Sequence, residues 1–142
     1  MMIEIKLSKS LTEDAKYIRT EVFVNEQGFS AEFDDTDNTA LHCVLYSDGK
    51  AAAVGRTYPA DAEGSVYAIG RIAVLPEFRK GGLGSKVVTA LEQAAEGMGA
   101  VRTELSAQVR ASDFYRTLGY ESTGEEYFDE YCPHVKMVKS LI

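Results

Sequence analysis

Positive charge is in short supply in these 142 residues: 15 lysines and arginines stand against 22 aspartates and glutamates, a formal charge of −7. So acidic a chain is a poor non-specific partner for nucleic acid, because Lys and Arg contacts to phosphate supply most of that affinity. Cysteine is scarce as well. Cys43 and Cys132 are the only two, which is no disulfide framework and fits ordinary thiols in a cytoplasmic protein. No apolar run approaches the ~20 residues of a membrane span. Met1-Met2-Ile3-Glu4 lacks the charged-then-apolar layout of a signal peptide. Internal repeats, linkers and low-complexity segments are missing, so residues 1–142 read as one domain large enough to bury a core.

What is present is organised around Arg71 to Lys86. An alternating run ends at Pro76, which cannot donate to a sheet ladder, and Gly81, Gly82 and Gly84 then sit among Arg79, Lys80 and Lys86. Leu83, Val87, Leu91, Ala94, Ala95 and Met98 follow at helical spacing. Glycines leave N–H groups uncovered where a helix begins, and the first turn of a helix has N–H groups without internal partners. The macrodipole adds about half a positive charge there, so the place suits phosphate. In an acidic chain, Arg71 to Lys86 is the local cationic island that a polyanionic ligand needs. A Walker loop is excluded because Ser85 precedes Lys86, and a Rossmann fingerprint because no third glycine follows Gly82-Leu83-Gly84.

In chain order, Met2 to Leu7 alternates as a first strand. Leu11 to Asn25 reads as a helix capped by Ser10 or Thr12 and ended by Gly28. Phe29 to Asn38 is an acidic loop, either a solvated connection or one wall of an acceptor pocket, and its composition slightly favours the connection. Ala40–Tyr46 and Ala51–Tyr58 form a hairpin around Asp48-Gly49, and Ser65–Leu75 is the strand that feeds the glycine loop. A helix to Met98 and a strand over Val101–Ala107 complete a βαβ crossover, which makes those two strands parallel. A short helix from Ser112 or Asp113 closes at Gly119. Tyr120–Phe128 and Val135–Ser140 are the last strands.

Arg79-x-x-Gly82-x-Gly84 after Ile72-Ala73-Val74 resembles the acyl-CoA loop of the GNAT superfamily of N-acetyltransferases. Phe114-Tyr115-x-x-x-Gly119-Tyr120 is similar to that superfamily's second signature. Val22-Phe23-Val24-x-Glu26-Gln27, Asp37, Ala40-x-His42, Ile69-Gly70-Arg71, Ala107-Gln108 and Pro133-His134-x-x-Met137 resemble the ElaA/YjcF-like branch. The resemblance implies a mixed α+β fold: a mostly antiparallel twisted sheet of about seven strands, three to four flanking helices, and a splay between the fourth and fifth strands. It also implies that the backbone of Ile72, Ala73 and Val74 pairs with acetyl-pantetheine. Amides of Arg79, Lys80, Gly81, Gly82, Leu83 and Gly84, helped by Ser85, would hold the diphosphate of acetyl-CoA, and Tyr115 would protonate the departing thiolate.

Acyl transfer asks for the same parts on chemical grounds. An N–H must face the developing oxyanion, and the open edge at Ile72 or Val74 is a suitable source. A general acid must reach the sulfur within about 3 Å, and a tyrosine is still protonated at neutral pH. The general base is open. Tyr67-Ala68-Ile69-Gly70 has no carboxylate, which leaves Glu26, His42, His134 or a water chain. His42-Cys43 and Cys132-Pro133-His134 lack zinc-site spacing, and adjacent strand residues point to opposite faces, so no metal is expected. The expectation is a cytoplasmic transferase moving acetyl from acetyl-CoA to a primary amine by direct attack, without nucleic acid or membrane as partner. A homodimer is left open, and a non-catalytic acyl-CoA-sensing or protein-interaction module is the alternative.

Overall fold

The structure is a computed structural model that describes residues 2–142. Seven strands form one sheet in the order β1-β2-β3-β4-β5-β7-β6. They are β1 (Ile3–Ser8), β2 (Leu41–Ser47), β3 (Lys50–Pro59), β4 (Val66–Val74), β5 (Arg102–Gln108), β6 (Glu121–Asp129) and β7 (Cys132–Ser140). All neighbours are antiparallel except β4 and β5, the pair joined by a helix. The β2–β3 turn puts Asp48 and Gly49 at φ 50° and 83°, the left-handed pair that a two-residue hairpin requires.

Alternation sends successive side chains to opposite faces of the sheet, and each face finds a helix. Cys43, Leu45, Ala53 and Ile69 meet Leu83, Val87 and Leu91 of α2 (Leu83–Gly97). On the other face Val44, Val54 and Ala73 meet Ala15, Ile18 and Val22, the apolar stripe that begins in α1 (Glu13–Arg19). The third helix, α3 (Ser112–Thr117), carries Tyr115 against the cluster of Val88, Leu105, Tyr120 and Met137. Met98, read as part of the α2 stripe, lies at the helix end and is exposed.

Two departures from the expected elements shape the site. The helix expected over Leu11–Asn25 is α-helical only to Arg19 and continues from Thr20 to Glu26 as a π-helix, a form concentrated at functional sites. In β4, Ala73 pairs with Val54 and Gly70 with Arg56, so Arg71 and Ile72 together oppose Gly55. This bulge puts Arg71 at φ 54°. Only glycine fits opposite it, since a Cβ at position 55 would lie 2.6 Å from Ile72 Cδ1 and 2.7 Å from Leu91 Cδ1. The last hairpin also differs: β7 starts at Cys132, ahead of the expected Val135, because β6 and β7 turn tightly through Glu130 and Tyr131.

The bulge opens the sheet. Strands β4 and β5 pair only from Val66–Ile69 to Arg102–Leu105. Beyond that, β4 stays on β3 as far as Val74 and β5 stays on β7 as far as Gln108. The sheet is therefore split between its fourth and fifth strands.

Candidate active site

The glycine loop lies at the end of the split strand β4. Lys80 (φ 73°) and Gly82 (φ 74°) are both left-handed, the kind of alternation that gathers successive N–H groups into a concavity for an anion. Phe78 and Arg79 spend their amides on the carbonyls of Leu75 and Pro76, at 2.9 and 3.3 Å. Arg79 thus drops out of the expected amide set. The amides of Lys80, Gly81, Gly82, Leu83, Gly84 and Ser85 meet no acceptor among the described residues, whereas Lys86 N–H already bonds Gly82 O at 3.3 Å. Ser85 Oγ donates to Gly82 O at 2.9 Å and braces the loop. The Leu83 side chain is buried in the α2 core, so only its backbone faces the loop. Lys80 and Lys86 are exposed and form no ion pair among the described residues.

The gap between β4 and β5 opens into a cavity of about 190 Å³ walled by Phe23, Phe29, Ile72, Leu105, Tyr115 and His134, among others. A second hollow of about 240 Å³ continues over the sheet face, where Tyr58, Glu104, Tyr127, Asp129 and Lys136 line it. Gly70, Arg71, Ser106 and His134 border both. Main-chain groups face the gap. Leu75 N–H donates to Ala52 O on the β3 side at 2.9 Å, so Val74 turns its own N–H and C=O the other way.

Tyr115 comes from α3 to the cavity wall, edge-on to Phe114 and Tyr120 at 5.0 and 6.1 Å. Burial pushes its hydroxyl up to about 12, so it is a proton donor at any physiological pH. His134, only 7% exposed, stands at the other wall, stacked on Tyr127 and edge-on to Phe29. Its Nδ1 lies 3.0 Å from the Cys132 carbonyl. A carbonyl only accepts, so Nδ1 carries the hydrogen, and the neutral ring keeps its free lone pair on Nε2.

The other two base candidates lie elsewhere. His42 is buried, its Nε2 hydrogen-bonds the Asp37 carbonyl at 2.9 Å, and it does not line either hollow. Glu26 grips Arg79 with both oxygens, at 2.6 and 2.8 Å, and borders a third hollow at the gap mouth. That hydrogen bond holds its carboxyl below the usual range, which makes it a weak base. Neither residue is retained.

The acidic loop is not a solvated connection: Phe29, Ala31 and Glu32 border the first cavity. Arg19, 2% exposed, donates to Glu32 at 2.8 Å and to Asp37 at 2.8 Å, while Arg56 donates to Asp34 and Asp37, both at 2.7 Å. Arg71 closes the set on Glu32 and Asp34 at 3.1 and 3.3 Å. Arg71 therefore leaves the cationic island assigned to it and holds the loop against the cavity instead. Burial raises Glu32 against the pull of these arginines. Arg19 and Arg56 hold Asp37 well below the carboxylate range. Glu130 adds a clamp from the β6–β7 turn, accepting the Ser30 and Ala31 amides at 3.0 Å. No feature of the sequence pairs these charges, since the partners lie up to 39 residues apart. Among the described residues, no group of three or more His, Cys, Asp or Glu is placed to hold a metal ion.

The family description "Acetyltransferase (GNAT) domain" matches residues 8–141. The chain belongs to the GNAT acetyltransferase family. It is 37% identical over 142 residues to the uncharacterized N-acetyltransferase YjcF of Bacillus subtilis, covering 98% of this chain and 99% of that one. The crystal structure of a candidate N-acetyltransferase from Lactobacillus plantarum superposes with a TM-score of 0.88 at 31% identity over the full length of both chains. Escherichia coli ElaA superposes at 0.82 with 25% identity, covering 98% of this chain and 100% of ElaA. The ElaA/YjcF-like branch and the fold are thus as the sequence implied, including the split sheet. Several positions that marked the branch now have a structural role in this GNAT domain. Asp37 and Arg71 belong to the buried ion set, His42 anchors the Asp37 backbone, and Gln27 and Gln108 hydrogen-bond across the gap at 2.8 Å.

Proposed function

We propose that this GNAT enzyme transfers acetyl from acetyl-CoA directly to a primary amine. One observation carries the reading: a gap between diverging strands runs from a cavity to six amides at a helix start that meet no acceptor among the described residues. A thioester lying along β4 would reach the cavity while its diphosphate rests on the amides of Lys80 to Ser85. Main-chain N–H groups of the open β4 edge then face the developing oxyanion.

The acceptor ammonium loses one proton to solvent to become the free amine, and His134 Nε2 takes a second from the nitrogen as it attacks and passes it on to solvent. The amine lone pair adds to the thioester carbonyl carbon, and the C–S bond breaks as the carbonyl re-forms. Tyr115 gives its hydroxyl proton to the leaving sulfur, and solvent restores it. The products are an amide and coenzyme A with a free thiol. Cys43 takes no part, because burial pushes its thiol up to about 12 and it packs in the α2 core.

Glu104 pairs with Lys136 and Glu130 holds the Ser30 and Ala31 amides, but Asp129 borders both hollows beside His134 and forms no ion pair among the described residues, which offers a carboxylate to a cationic amine. The test is acetyl-CoA turnover, read as free thiol, across polyamines, amino sugars, aminoglycosides, amino acids and lysine peptides. Turnover with at least one amine, with amide product by mass, is expected. Silence across the panel, with acetyl-CoA bound, would overturn transfer in favour of a sensing module.

A further inference from the structure

Arg79 opens the glycine loop, yet its side chain turns back over the gap. Nε donates to the Val74 carbonyl at 2.9 Å, and the two terminal nitrogens grip Glu26 at 2.8 and 2.6 Å. Beside this pair Gln108 Nε2 donates to Gln27 Oε1 at 2.8 Å. The loop, the π-helical end of the first helix and the tip of β5 therefore meet over the mouth of the split. The Val74 carbonyl belongs to the part of β4 that β5 has left unpaired. It is the acceptor an amide lying along β4 would use, and an intramolecular N–H already holds it.

We propose that Arg79 and Glu26 form a clasp over the β4 edge that the pantetheine arm of acyl-CoA must open, at a cost that a ligand offering only a diphosphate does not meet. The inference rests on the donor reading above. A ligand offering only a diphosphate fills the amides of Lys80 to Ser85 and leaves the clasp shut. A pantetheine arm carries amide N–H groups, and one of them displaces Arg79 Nε from the Val74 carbonyl. The exchange replaces one N–H···O bond by another, and the guanidinium keeps Glu26, so no buried charge is stranded. The π-helical turn is where the first helix yields as Glu26 follows.

The test is calorimetric titration of the wild type, Arg79→Ala and Glu26→Gln with coenzyme A and with 3′-phosphoadenosine 5′-diphosphate. The second ligand has the same nucleotide and diphosphate but no pantetheine arm. Loss of the Arg79 charge weakens both ligands alike, so the ratio of the two affinities isolates the clasp. Arg79→Ala should move that ratio about three- to tenfold toward coenzyme A, the net worth of one released hydrogen bond. Glu26→Gln should move it the same way by less. An unchanged ratio, with both affinities falling together, would make Arg79 a simple diphosphate ligand and overturn the clasp. If neither ligand binds the wild type, the donor reading fails and the clasp falls with it.

Discussion

Replacing Asp37 by Asn perturbs the acidic loop with almost no change in shape. The carboxylate accepts four hydrogen bonds: Arg19 Nη1 and Arg56 Nη1 on Oδ1 at 2.8 and 2.7 Å, and Arg19 Nη2 and the Asp34 amide on Oδ2 at 3.1 and 3.2 Å. Asparagine keeps one oxygen and turns an NH2 toward groups that can only donate. Arg19, Arg56 and Arg71 balance Glu32, Asp34 and Asp37 charge for charge, so the variant leaves one cation uncompensated beneath the loop. Breaking a buried pair in this way costs about 3–5 kcal/mol, a large share of the ~5–15 kcal/mol that holds a domain folded. At ~2–4 °C per kcal/mol the melting temperature should fall by roughly 6–20 °C. Urea unfolding followed by circular dichroism, paired with calorimetry, reads both quantities. The native carboxyl lies below its unfolded value of 3.8. The stabilisation is therefore complete at neutral pH and is lost as pH falls from about 4 toward the native value. Wild type and variant should converge in acid. A loss under about 1 kcal/mol at neutral pH, the worth of an exposed pair, would refute the claim that this loop is fixed by buried charge.

Tyr115→Phe should lower kcat about a hundredfold or more, the usual worth of a positioned acid, while coenzyme A affinity by calorimetry stays unchanged; an unaltered kcat removes Tyr115 from the mechanism. With its hydroxyl pushed up to about 12, the wild-type rate should show no alkaline fall from Tyr115 below pH 10, which a pH–rate profile checks. His134→Gln should likewise cut kcat/KM about a hundredfold, and full activity would return the base role to solvent. Gly55→Ala forces a methyl into Ile72, Leu91 and Val87, all within 2.8 Å, and should cost about 1–3 kcal/mol in urea unfolding; a neutral result would mean the β4 bulge is not held by close packing.

Much of this was legible in the sequence because it depends on neighbours in the chain. Alternation locates the strands, Asp48-Gly49 fixes a hairpin, and the Ile72 to Lys86 run shows a strand entering a glycine loop. The crossover from β4 to β5 follows from the helix between them. What could not be read depends on partners remote in sequence. Arg71 looks like one cation of a phosphate island until the bulge opposite Gly55 turns it toward Glu32 and Asp34. Phe29 to Asn38 reads as solvated because nothing local announces Arg19 and Arg56. Glu26 and His42 were reasonable bases by residue type alone. Only the fold engages one with Arg79 and buries the other beside Asp37. His134 reaches the cavity wall because β7 starts earlier than its alternation suggests and pairs it with both Gln108 and Tyr127.

Backbone amide NMR of the 15N-labelled protein, titrated with coenzyme A, bears most directly on the account. Saturable shifts concentrated at Lys80 to Ser85 and at Ile72 and Val74 are the predicted result. Binding that leaves those amides unmoved while shifting resonances elsewhere would contradict it.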